Sequence, residues 1–184
     1  HAILSDMRST EFLFDNHIMD GLKLSENGKK AAYLDTDANT GDTILVEIEL
    51  GKEKAETVAT NVQSFGYIGN TLIYYFDYTE GVGTLGAAGS KTTIANASGV
   101  QFTEDAVYYV ADADAATGNG ELRAWDGKTE TAIAKDVFAF QYKENGKLVY
   151  IGKYDVNAGV GDLYYYDGKE ARKLDTGITA IFIY

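Results

Sequence analysis

Self-similarity at a period of about forty residues constrains this chain more than any other feature. Residues 121–128 read ELRAWDGK, and residues 162–169 read DLYYYDGK. Leu122 falls on Leu163, Trp125 on Tyr166, and Asp126-Gly127-Lys128 on Asp167-Gly168-Lys169, all at an offset of 41. Val137 and Ile178 keep the same offset. Weaker copies precede these. Thr43 to Gly51 fits the slot with one extra residue, and Thr84 to Gly89 fits it poorly. Apolar anchors then fall at Met19, Val62, Val100, Val137 and Ile178, spaced by 43, 38, 37 and 41 residues. A unit this short cannot bury a core alone, so neighbouring copies must stack.

Each copy reads as four β-prone stretches divided by turn residues. In the best copy they are 137–142, 147–155, 162–167 and 170–175. Asn145-Gly146 supplies the strongest short hairpin signal between the first two. A Gly-rich loop at 156–161 and a tight turn at Gly168-Lys169 divide the rest. No apolar period of 3.6 persists over a dozen residues, which predicts little helix. Alternation in 137–142 sends Phe138, Phe140 and Tyr142 to one face and Val137 and Ala139 to the other, so both faces are apolar. The stretches 148–151 and 107–110 are apolar on both sides as well. A half-exposed sheet would alternate apolar with polar instead. Sheets covered on both faces, with a more polar fourth strand such as 170–175 at the edge, point to the blades of a β-propeller. A sandwich needs no forty-residue repeat, and solenoid coils are usually shorter.

The expected fold is therefore all-β: a propeller, or a segment of one, of four-stranded antiparallel blades. The blades run approximately over 19–61, 62–99, 100–136 and 137–177, within one domain spanning 1–184. Residues 3–18 align with 163–178 without a gap, so 2–17 read as strands three and four of a blade. Residues 178–184 read as the first strand of another. Two arrangements satisfy these ends. A five-bladed ring could close with one short blade, or a longer propeller could be completed by another copy or a further chain segment. The second is preferred.

Residues 24–35, LSENGKKAAYLD, followed by ILVEIELG at 44–51, resemble the repeat of TolB-type and prolyl-oligopeptidase-type propellers. The later copies, with Tyr-Tyr strands and Leu-Tyr-x-Tyr-Asp-Gly turns, are similar to YWTD-like propeller repeats of Gram-positive cell-surface proteins of unknown function. The copy at 84–99 departs from both patterns. The resemblance implies a propeller scaffold, usually an interaction or accessory module, and carries over no catalytic residue.

Composition narrows the partners. Sixteen Lys and Arg stand against 28 Asp and Glu, a net charge of −12. Such a surface repels phosphate backbones and anionic membrane surfaces, so neither nucleic acid nor membrane insertion is expected. No apolar run approaches the length of a bilayer span. There is no Cys, hence no disulfide, thiol nucleophile or thiolate site. The chain opens on His1 without Met, so a removed leader would leave no trace. Fourteen Tyr, 20 Gly and many Thr, Asn and Asp suit an exported β-protein, which places the expected compartment outside the cell or in its envelope. The 184 residues contain no Pro, which has no physical account.

No catalytic residue and no metal ligand set emerges. The two His, His1 and His17, have no convergent partners. GVGTLGAAG at 81–89 lacks the Lys-Ser/Thr ending of a phosphate loop. The candidate ligand-binding residues are acidic loop residues: Asp35, Asp37, Asn39 and Asp42 in one turn, and Asp112 and Asp114 in its counterpart. Alternating carboxylates can wrap Ca²⁺, the one cofactor these loops suggest. However, Thr40 stands where a calcium loop wants Gly, and Val46 where it wants Glu. Recurrence of Asp and Gly in the loops 77–83, 112–120 and 155–161 fits Asx turns without a metal. All four loops should then lie at the same end of their sheets. Trp125, Tyr164, Tyr165 and Tyr166 could stack on a sugar, but their place in repeat strands favours packing between repeats. The expected function is a non-enzymatic propeller scaffold or binding module, with a protein or glycan as partner. The alternatives are an accessory propeller of a larger hydrolase and a carbohydrate-binding lectin.

Overall fold

The computed structural model describes residues 2–5, 11–14, 21–52 and 54–181. The regular elements among them are all strands, with no helix. His1, His17, Met19 and the last three residues of the expected strand at 178–184 lie outside the described residues. Ala2–Ser5 (β1) pairs antiparallel with Glu11–Phe14 (β2), Ala2 opposite Phe14 and Ser5 opposite Glu11. Contacts divide the chain into two compact units, one of 1–78 with 85–93, the other of 79–84 with 94–184.

In the first unit, Lys23–Leu24 (β3), Lys30–Thr36 (β4), Thr43–Glu49 (β5) and Ala55–Thr60 (β6) form a four-stranded antiparallel sheet in sequence order. Val62–Ile68 (β7) and Thr71–Thr79 (β8) pair as a second hairpin, Phe65 opposite Tyr74. Ala32 and Leu45 from the first repeat and Val62, Phe65 and Leu72 from the second make one buried cluster. Burying each large apolar side chain contributes about 1.5–3 kcal/mol, so the face shared by two repeats is where this unit is held together. The turns interlock too. The Glu26 N–H donates to the Gly69 carbonyl at 3.0 Å, and the Asn27 N–H to Asn70 Oδ1 at 3.0 Å. Buried Ser25 closes its own turn, its hydroxyl accepting from the Lys30 N–H at 3.0 Å.

Strand β9 (Val82–Ala87) contributes residues to both units. The second unit holds Thr93–Phe102 (β10, from Ile94 on), Val107–Ala111 (β11), Gly120–Trp125 (β12), Glu130–Glu144 (β13), Lys147–Asp155 (β14), Val160–Tyr166 (β15) and Ala171–Ile178 (β16). Each pairs antiparallel with the next, and among the described residues no pairing returns β16 to β10. The described strands of this unit therefore do not close into a ring, and the ladder runs on from one repeat into the next. Its two repeats are joined through β13, a strand of 15 residues. The first half of β13 pairs with β12, Glu130 opposite Trp125, and the second with β14, Phe140 opposite Tyr150. A single left-handed residue, Asp136 at φ 53°, turns the strand from one ladder to the other. The same conformation recurs at Asn61, Asn96 and Gly177, each where one repeat ends and the next begins. The repeats therefore open at Val62, Ala97, Val137 and Ile178, with Ala97 opposite Ala111, three residues ahead of the Val100 anchor.

The packing of the two repeats shows a fixed direction. Tyr108, Val110 and Leu122 of the third repeat meet Phe140, Leu148 and Tyr150 of the fourth in one cluster. In the 41-residue register Tyr108 corresponds to Val149 and Leu148 to Val107, so opposite faces of equivalent sheets come together. Trp125 is 3% exposed, Tyr166 packs on the cluster, and Tyr164 stacks on Tyr150 with ring centroids 4.9 Å apart. Tyr164 and Tyr166 thus pack on the cluster that the two repeats share, whereas Tyr165 lies under the Arg172 guanidinium, 5.2 Å from its ring centre. Two side-chain amides add direction. Gln101 Nε2 donates to the Phe140 carbonyl at 3.0 Å while its Oε1 accepts the Tyr142 N–H at 3.0 Å. Asn119 does the same to Tyr154, through 2.9 and 3.2 Å bonds.

One face assignment is corrected. Phe140 is 7% exposed and Tyr142 packs on the same cluster, but Phe138 is 37% exposed and Val137 is the residue fully buried. Strict alternation fails because the ladder shifts register between Val137 and Ala139, directly after the left-handed corner. A bulge of this kind re-aims the side chains beside it.

Candidate functional site

The loops that join the second and third strands recur at one place in the repeat, and three share a bonding pattern. Asp37 Oδ1 accepts the backbone N–H of Asn39 at 2.7 Å and of Thr40 at 3.2 Å. Asp114 Oδ1 accepts those of Ala116 at 3.0 Å and Thr117 at 2.8 Å. Asp155 Oδ1 accepts those of Asn157 at 2.9 Å and Ala158 at 3.3 Å. Gly41, Gly118 and Gly159 each donate back to the Asp carbonyl in the left-handed conformation. These are Asx turns, the local arrangement the recurrence predicts. The backbone N–H groups of Asn39 and Thr40 hold the Asp37 carboxyl below its ordinary range. The Thr117 N–H, the Thr117 hydroxyl and the Ala116 N–H do so for Asp114. The second repeat differs: Glu80 and Gly81, at φ 51° and 91°, make its turn.

The remaining candidates take other positions. Asp35 lies in β4 and its Oδ1 accepts the Thr36 N–H at 2.7 Å. The Asp42 carbonyl accepts the Asp37 N–H at 2.9 Å, closing the loop that holds Asp35, Asp37, Asn39 and Asp42 together. Asp112 is a corner residue at φ 48°. Its Oδ1 accepts Asn96 Nδ2 at 3.1 Å and its N–H donates to the Asn96 carbonyl at 3.1 Å. Asn61 and Asp77 make the same pair one repeat earlier, at 3.3 and 3.1 Å. The Asp residues thus do two distinct jobs, turn closure and corner pairing. Among the described residues no group of three or more His, Cys, Asp or Glu converges in a way that could hold a metal.

The structure adds a feature that face alternation concealed. At this same end of the fourth repeat, Phe138 stacks on Tyr154 with centroids 3.9 Å apart and planes 10° apart. Phe138 lies over Gly118, where a Cβ would come within 3.0 Å of its ring. Asn119, the next residue, holds the Tyr154 backbone. Val156, 47% exposed, follows in the adjoining loop. The result is an exposed apolar patch in the same repeats as the 114–118 and 155–159 turns, where Oδ1 of Asp114 and of Asp155 accepts backbone donors. The missed signal was the short link between strands, since only two residues, Lys135 and Asp136, separate Ala134 from Val137.

A second surface lies on the first unit. Lys30, Glu47, Glu49, Lys52, Lys54 and Glu56 line an open cleft of about 260 Å³. Lys30 pairs with Glu47 at 2.8 Å, Lys52 with Glu49 at 2.8 Å, and Lys54 with Glu56. Tyr67 donates its hydroxyl to Glu47 at 2.8 Å, and burial first, then this carboxylate, pushes the phenol up. Every charge lining this cleft has an opposite-charge partner, which suits a solvated face.

No protein-family model matches the chain. No curated protein matches it. Solved structures do share its fold. The β-propeller domain of the Trilobed protease from Pyrococcus furiosus, described as having an open velcro topology, aligns over 94% of this chain and 62% of its own, with 15% identity and a TM-score of 0.54. Pyrococcus horikoshii acylaminoacyl peptidase aligns over 93% of this chain and 34% of its own, with 15% identity and a TM-score of 0.53. An acylaminoacyl peptidase bound to Z-Gly-Gly-Phe-chloromethyl ketone aligns over 84% and 32%, with 14% identity and a TM-score of 0.53. The chain thus has an all-β antiparallel fold like that of β-propeller domains. It spans about a third of the length of the acylaminoacyl peptidases.

Proposed function

We propose that this chain is a non-enzymatic β-propeller module, or part of one, exported or displayed at the cell surface, that binds a partner through the loop end of its fourth repeat. The observation that carries this reading is the Phe138–Tyr154 stack beside exposed Val156. Its support, Gly118 and Asn119, comes from the preceding repeat, so the patch is held by packing between repeats. Rigid exposed aromatics bind at low entropic cost and stack on sugars or on apolar peptide side chains. A protein partner fits better than a glycan. A lectin would show the same polar-aromatic set in each repeat, whereas the residues matching Tyr154 are Thr36, Tyr78 and Ala113.

The accessory propeller of a larger hydrolase is the second reading. It is supported by the solved structures of similar fold, one of them a β-propeller domain of a protease. In that case the patch would face a catalytic domain or its peptide substrate.

The test is a peptide array and a glycan array probed with the purified chain and with Phe138→Ser. Binding of apolar peptides by the parent, reduced at least tenfold in the variant while its thermal melt is retained, is the expected result. Equal binding by both proteins, or hydrolysis of a chromogenic acyl-peptide by the chain alone, would overturn the proposal.

A further inference from the structure

Asn-Gly occurs three times, at 27–28, 119–120 and 145–146. Asn-Gly is the sequence most prone to spontaneous deamidation. The Gly nitrogen, unhindered by a side chain, attacks the Asn Cγ. The new N–Cγ bond closes a succinimide, the Cγ–Nδ2 bond breaks, and ammonia leaves. Water then opens the ring at either carbonyl, giving aspartate or isoaspartate. The reaction needs a Gly nitrogen free to lose its proton and an amide free to rotate over it, a near-attack geometry.

The three sites differ in both requirements. At Asn119 each amide atom is bound to Tyr154, and Gly120 sits in β12 with no room beside it, since a Cβ there would collide with the Ala111 carbonyl. At Asn27 the side-chain oxygen accepts from Ser25 at 3.1 Å and from the Lys29 N–H at 2.9 Å. The Gly28 N–H there donates to the Ser25 carbonyl at 2.9 Å. At Asn145 the residue is exposed at the tip of the β13–β14 hairpin, and no described residue bonds its amide. The Gly146 N–H reaches only the Tyr142 hydroxyl, at 3.4 Å.

We infer that Asn145 is a self-modifying site of this protein, converting to aspartate and isoaspartate in the folded state while Asn27 and Asn119 are protected. Isoaspartate lengthens the backbone of a two-residue turn by one carbon. It therefore strains the register that sets Tyr142 opposite Leu148 and Glu144 opposite Lys147.

The experiment incubates the full chain in mildly alkaline buffer, folded and in urea, and maps peptides by mass spectrometry against an Asn145→Asp standard. In urea all three sites should react at similar rates. In the folded chain Asn145 should lead by about tenfold or more, the factor that a modest local-opening cost imposes on the other two. Equal rates in the folded chain, or Asn27 or Asn119 reacting first, would refute the inference.

Discussion

A side-chain amide that reads a neighbouring backbone is the residue-scale device with the largest consequence here. Gln101 meets both the carbonyl of Phe140 and the N–H of Tyr142 in the next repeat. Replacing it with Ala leaves a donor and an acceptor without partners at a half-buried seam, at a cost of about 1–3 kcal/mol. A urea melt of Gln101→Ala should show a lower midpoint with an unchanged slope. Ionisation acts at the same scale. Burial, then the neighbouring Tyr78, raises Tyr75 to about 12. A phenol with a folded value above its unfolded one contributes stability that is complete below the unfolded pKa of about 10. That stability is lost as pH rises through 12. The loop carboxyls run the other way. Asp37, Asp114 and Asp167 are lowered, so their contribution is present above the ordinary carboxylate range and disappears as pH falls below it. An NMR titration should find their carboxyl resonances moving at lower pH than those of a model Asp peptide. Ordinary midpoints would mean the Asx bonds do not persist in solution.

At the scale of elements, the corner is the feature that organises the repeat. A left-handed residue suits Gly or Asn and Asp, and it penalises β-branched side chains by about 1–2 kcal/mol. Asp136→Val should therefore destabilise the chain. Asp136→Gly should change stability by a few tenths of a kcal/mol at most, since Gly177 occupies the equivalent corner. Equal losses in thermal melts of the two variants would show that the Asp136 side chain, not the backbone angle, fixes the bend. The strands themselves were legible because repeats, Asn-Gly and Asp-Gly turns and apolar stretches are local signals. The pair of Asp functions was not, since Asp112 and Asp114 look alike in sequence and only their partners, Asn96 and the 116–117 backbone, separate them. The exposure of Phe138 was hidden for a related reason. Alternation assumes a regular pleat, and the register shift after Asp136 breaks it.

At the scale of the whole molecule, the charge balance sets what the chain tolerates around it. A net charge of −12 on 184 residues adds long-range self-repulsion to the compact state. Exposed pairs such as Lys52–Glu49 oppose this, but each contributes only about 0–1 kcal/mol and is screened by the same ions. Added salt acts on both terms. It shortens the screening length to about 10 Å at 0.1 M and about 3 Å at 1 M, weakening the long-range excess more than pairs in contact. The melting temperature should therefore rise with NaCl up to a few tenths molar, by a few degrees, since about 1 kcal/mol moves a chain of this size by about 2–4 °C. A chloride salt suits the test because sulfate also strengthens apolar burial, which would raise the melt for a different reason. A melting temperature that falls with NaCl would mean that ion pairs such as Lys30–Glu47 and Arg123–Glu130 dominate the electrostatics of this fold.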